Sequence, residues 1–182
     1  MPKLGVRQFH AYMRGTFAKS IYRAYKSHQI FCEADLQSHA WHAIRRFLRR
    51  NEESPGKFRV LNKPFLRDCN HTYPDLVVFR CRKPWVIIEL KEGRNLAKLR
   101  ASTERKKLLD TRQALDLEPK RGYLVYVARY GNKRALPGPK GSGAKYFFEV
   151  PIVLSLGMSK QDLKEFSKEF KLWSKYVVHP ES

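Results

Sequence analysis

Cysteine is scarce in this chain: Cys32, Cys69 and Cys81 are its three among 182 residues. So few thiols make no disulfide framework and fit a reducing compartment. Cys69 and His71 lie close in sequence, but zinc takes about four ligands and no second pair accompanies them. Long apolar runs are missing as well. No stretch of 18 apolar residues occurs and no apolar core follows the basic start. The expectation is a cytoplasmic chain, or a mitochondrial or nuclear one in a eukaryote, with no membrane span and no secretory signal. Negative charge is the third shortage. Only 17 Asp and Glu stand against 37 Lys and Arg, a formal net charge of +20, which suits a polyanion and makes nucleic acid the expected partner.

The acid shortage is complete over residues 1–32, where Arg7, Arg14, Lys19, Arg23 and Lys26 interleave with Phe9, Met13, Phe17, Ile21 and Tyr25. An apolar residue at every fourth position predicts one or two amphipathic helices, interrupted near Gly15. Two readings stay open for this basic N-terminal helical arm: a segment laid on phosphates, or a helix packed on the core with its cations in water. A transit peptide would also be basic and acid-free, but would carry more Ser and Thr. With 42% hydrophobic residues, residues 1–182 suffice for one domain with a real core.

A second helix is predicted from Glu33, with Leu36, Ala40, Ile44, Phe47 and Leu48 on one face and Arg45, Arg46, Arg49 and Arg50 largely off it. His39 and His42 fall on a mixed polar face. Residues 51–56 read as a loop and Phe58–Leu66 as a strand. Beyond the hairpin described next, a basic helix is expected over Arg94–Leu115, then a fully buried strand over Gly122–Tyr130. Residues 134–145, rich in Pro and Gly and carrying Lys140, read as a loop, and no Gly-Lys-Ser/Thr closes it into a P-loop. A strand over Tyr146–Leu154 and an amphipathic helix over Ser159–Val177 complete the chain.

The informative stretch is Tyr73–Gly93. Two apolar runs, Leu76–Phe79 and Trp85–Ile88, flank Arg82-Lys83-Pro84 and read as antiparallel strands joined by a short turn. A hairpin symmetric about Arg82 pairs residues whose numbers sum to 164, and 75 + 89 = 164, so Asp75 and Glu89 become neighbours. Alternation puts Glu89 and Lys91 on one face with Ile87 and Trp85. Like charges side by side destabilise a sheet, and a divalent cation is the commonest reason to tolerate them. Mg²⁺ suits oxygen ligands, typically takes one or two protein carboxylates, and uses water and phosphate oxygens for the rest. Lys91 would then act on the water or on charge building at phosphorus.

Pro74-Asp75 followed by Glu89-Leu90-Lys91 resembles the signature of the PD-(D/E)xK nucleases. The spacing, with a Lys-Pro turn between, is similar to the nuclease module of type I restriction subunits, whose motor has no counterpart here. The resemblance spans about Glu33 to Tyr130. It implies a restriction endonuclease-like α/β fold: a mixed sheet of about five strands flanked by helices on both faces. It further implies a metal-dependent DNA endonuclease with Asp75, Glu89 and a helical Glu, here Glu33, as metal ligands, Lys91 as the catalytic cation, and Mg²⁺ replaceable by Mn²⁺. The helix after the Glu-x-Lys strand would offer a polar residue to the site, Lys106 or Gln113. Nucleic-acid contacts are expected from Arg45, Arg46, Arg49, Lys98, Arg105, Lys106 and Lys140. A homodimer would suit cutting two strands, and a partner protein could supply specificity. Two other readings stand beside it: a non-catalytic nucleic-acid binder on the same fold, and an RNA-binding protein, which would leave the paired carboxylates without a reason.

Overall fold

The structure, a computed structural model, describes residues 4–52, 54–64, 74–95, 104–118, 121–130, 147–156, 158–162 and 164. It begins with α1 (Val6–Tyr12), which runs without a break through a π-helical turn (Met13–Phe17) into α2 (Ala18–Lys26). The π-turn explains the apolar repeat. In an α-helix each step of four overshoots a full turn by about 40°, so four steps from Phe9 to Tyr25 would wind the stripe about 160° around the axis. The wider turn resets it, and Phe9, Met13, Phe17, Ile21 and Tyr25 are all buried. Gly15 therefore sits inside a continuous helix and not at a break. The segment is part of the core, while Arg7, Arg14, Lys19, Arg23 and Lys26 face solvent.

Next comes α3 (Glu33–Asn51). Its start is fixed by Asp35, whose Oδ2 accepts the backbone N–H groups of Phe31 and Cys32 at 3.0 and 3.3 Å. Leu36, Ala40, Ile44 and Leu48 face inward as the pattern predicts. Five strands follow: β1 (Phe58–Asn62), β2 (Leu76–Arg80), β3 (Lys83–Asn95), β4 (Gly122–Tyr130) and β5 (Phe147–Val153), with α4 (Glu104–Ala114) between β3 and β4. They form one sheet in chain order, antiparallel from β1 to β3 and parallel from β3 to β5. The fold is thus α/β with a mixed five-stranded sheet.

Alternation sorts the two layers. Leu76, Val78, Val86, Ile88, Leu90, Tyr123 and Val125 join Phe9, Phe17, Leu36 and Ile44 in one apolar cluster. Val77, Ile87, Leu124, Tyr126 and Ala128 join Leu108 and Leu117 in a second. One face of the sheet therefore carries the N-terminal helices and α3, and the other carries α4.

Three boundaries differ from expectation. β1 stops at Asn62, because Lys63 turns the chain with φ +40° and donates its N–H to the Asp75 carbonyl at 2.9 Å. β3 continues through Asn95, where the sequence suggested a helix, because β4 pairs alongside as far as Asn95↔Tyr130. The turn of the hairpin is Cys81-Arg82, both at positive φ (50° and 67°), between the paired Arg80 and Lys83. A bulge then makes Trp85 an extra residue, and the register passes from Phe79↔Pro84 to Val78↔Val86. Trp85 consequently lies with Val86 against Phe9, on the face opposite Ile87 and Glu89. Ser159 and Asp162 cap the helix expected from Ser159, whose part beyond residue 164 lies outside the described residues.

Candidate active site

The bulge restores the register that matters. Leu76 pairs with Ile88 and Val77 with Ile87, so the ladder extended by one residue sets Asp75 beside Glu89. Both carboxylates are buried, each with 3% of its surface exposed. Asp75 is gripped from two directions: Gln37 Nε2 of α3 donates to Oδ1 at 2.7 Å, and the Leu90 N–H of β3 donates to Oδ2 at 2.8 Å. On the other layer, Lys107 of α4 donates its ammonium to Glu89 Oε1 at 2.5 Å. Both helical layers thus send one polar side chain to the paired carboxylates.

Burial dominates the electrostatics. Desolvation pushes the Asp75 carboxyl above the usual carboxylate range, and the negative charge of Glu33 adds to the rise. The Leu90 hydrogen bond and the cations of Lys107 and Lys63 pull it back down. Glu33 is exposed at the head of α3, within electrostatic reach of both Asp75 and Glu92. The direct contact to Asp75 comes one turn later, from Gln37. Lys91 is partly exposed and, by alternation, on the Glu89 face, opposite Tyr126 of β4. Glu92 lies on the other face, where burial raises its carboxyl, and Arg129, 3.7 Å away, lowers it.

Sequence reading missed Gln37, Lys107 and Glu92. Gln37 adjoins Leu36 on the stripe of α3, and a polar residue on a buried stripe is a signal in itself. Lys107 adjoins the buried Leu108 and lies one turn before the buried Thr111, so it is on the inward face of α4. Lys106 and Gln113, the two residues expected to reach the site, are exposed. The other expected contacts divide between layers. Arg46 and Arg49 are exposed on α3 and Arg45 stacks over Trp41 at 4.7 Å, whereas Lys106 belongs to the opposite layer. Lys98, Lys140 and the side chain of Arg105 lie outside the described residues, as do Cys69 and His71.

The donor set fits a hard divalent cation of the Mg²⁺ kind, which needs one or two protein carboxylates and keeps several waters. Asp75 and Glu89 would hold it. Among the described residues no group of three or more His, Cys, Asp or Glu, Glu33 with Asp75 and Glu89 included, is placed to hold a metal ion. Among the described residues, too, no helix is long and apolar enough to cross a membrane. Compared with known proteins, the chain matches no family model and no curated sequence.

Proposed function

We propose that this protein is a metal-dependent DNA endonuclease of the PD-(D/E)xK kind, hydrolysing phosphodiesters at Asp75, Glu89 and Lys91. The observation that carries the reading is the burial of two carboxylates at adjacent strand positions, each held by a donor from a different helical layer. Such an arrangement raises the folded-state energy of the ionised pair and serves no packing purpose. When bound, Mg²⁺ or Mn²⁺ would activate water and polarise the scissile phosphate. Gln37 and the Leu90 N–H fix the Asp75 carboxylate, and the Lys107 ammonium holds Glu89 from the opposite layer. Lys91 supplies positive charge where the phosphorane forms, and Glu33, exposed at the head of α3, adds negative charge near Asp75 without belonging to the pair. The +20 charge brings the polyanionic substrate in.

A second reading is a non-catalytic nucleic-acid binder. It is favoured by the Lys107–Glu89 pair and by Asp75 already accepting two hydrogen bonds, which hold both carboxylates in place without metal. One experiment separates them: incubation with linear, branched and single-stranded DNA, with and without Mg²⁺ or Mn²⁺. Metal-dependent cleavage abolished by Asp75→Asn supports the nuclease. Tight binding with no cleavage of any substrate selects the binder.

A further inference from the structure

Cations on the helical layer gather in a place the carboxylate site does not use. Between α2 and α3 lies an open valley of about 500 Å³, walled by Lys19 and Arg23 on one side and by His39, His42 and Arg46 on the other. A second hollow of about 500 Å³ continues it along α1 and the π-turn to Arg50, sharing Thr16, Ser20, Ala43 and Arg46 with the first. No carboxylate is among the described residues that line either part. On α3 the lining positions 39, 42, 46 and 50 fall at helical spacing, and the 11 residue steps from the first to the last rise about 16 Å at 1.5 Å each.

We propose that this valley is a track for a phosphodiester backbone, a nucleic-acid contact surface separate from the carboxylate site and independent of whether that site cuts. The chemistry selects the partner. Like charges facing each other across a recess repel, and a chain of phosphates relieves the repulsion while releasing its own counterions. The donors are side chains that end in N–H: Lys19, Arg23, Arg46, Arg50 and the imidazoles. The hydroxyls of Ser20 and Ser27 donate instead to helix carbonyls at 2.8 Å and leave only acceptor oxygens. A lipid surface is a poor match, because the apolar lining consists of small or buried side chains such as Ala24, Ala43 and Ile21 and of the half-buried Tyr12 and Phe47, whose rings stack on each other at 3.9 Å.

The test compares two triple variants of the full chain. One is Lys19→Gln/Arg23→Gln/Arg46→Gln in the valley. The other is Arg82→Gln/Lys83→Gln/Lys160→Gln, three exposed cations elsewhere that carry the same change in charge. Binding to a 20-base-pair duplex and to a single strand is measured in EDTA across a salt series, and thermal melts check that both variants fold. Three lost phosphate contacts should make the log–log salt slope about three units shallower in the valley variant, against less than one in the control. The valley variant should also bind at least tenfold more weakly at about 0.1 M salt. Equal slope changes in the two variants would show diffuse attraction and overturn the proposal. So would unchanged DNA binding with lost binding to a polyglutamate peptide or to anionic vesicles. Cleavage enters none of these readouts, so failure of the nuclease reading leaves the result standing.

Discussion

Replacing Asp75 by Asn and by Ala, in chelator, should give opposite answers. Asp75→Ala removes an acceptor that serves two buried donors, the Gln37 amide and the Leu90 N–H. Each donor left unsatisfied costs about 1–3 kcal/mol, so the loss should be about 2–6 kcal/mol, a large share of a typical domain's stability. Asp75→Asn keeps both bonds. Its carbonyl accepts from Leu90, and a flip of the Gln37 amide presents an oxygen to the new NH₂ group. What disappears is the charge, which burial penalises. Asp75→Asn should therefore unfold in urea within about 1 kcal/mol of wild type, on the stable side. The pH dependence gives an independent check. A carboxyl whose folded pKa lies above its unfolded value of 3.8 binds protons better when folded, so its ionisation costs stability above the folded pKa. That cost fades as pH falls through the folded pKa and is gone below 3.8. The advantage of Asp75→Asn should thus shrink from pH 7 to pH 4, measured by urea midpoints in EDTA. If Asn destabilises as much as Ala, or its advantage grows on acidification, the ionised carboxylate is a net stabiliser and the account of burial is wrong.

Lys91→Met keeps the stem and deletes the charge, and single-turnover cleavage should fall about a hundredfold or more while DNA binding in Ca²⁺ changes little; equal cleavage rates would place the catalytic centre elsewhere. Lys107→Met removes the ammonium held by Glu89 and should cost about 1–3 kcal/mol in EDTA. Saturating Mg²⁺ should recover most of that loss in denaturation curves, and an equal deficit in both conditions would argue against a cation replacing the ammonium at Glu89. Gly122→Ala puts a Cβ 3.1 Å from Phe147 Cβ and 3.2 Å from Leu108 Cδ2, where β4, β5 and α4 meet. Crowding of this kind should lower stability by about 1–3 kcal/mol, read from the thermal midpoint, and an unchanged midpoint would mean that α4 yields freely.

The parts of this fold that sequence expressed are those governed by burial. Gly122–Tyr130, apolar from Gly122 to Ala128, is a central strand paired on both sides, as expected, and parallel to the strand that carries Glu89. The Asp75–Glu89 register was also legible, though the symmetric turn used to find it is not the real one. A two-residue turn centred between Cys81 and Arg82 gives pairs summing to 163, and the bulge at Trp85 adds the missing one. Neither device has a readable signature here, since turns with both central residues at positive φ normally announce themselves with Asn or Gly. Gln37 and Lys107 were hidden for a different reason. Each is a polar residue on the inward side of a helix, and its partner lies 38 or 18 residues away, across a fold the helix alone does not specify.

That each described strand lies beside its sequence neighbour bears on how the sheet assembles. No described strand has to be threaded between two already paired, so the described sheet can grow from one edge. The β1–β2–β3 meander closes by local antiparallel pairing, and only the two parallel additions wait for a longer connection. Because the ladder between β2 and β3 is what sets Asp75 beside Glu89, the carboxylate pair does not depend on β4 for its register. Gln37 and the Leu90 N–H, the two donors to Asp75, precede α4 in the chain, whereas Lys107, the donor to Glu89, arrives only with it.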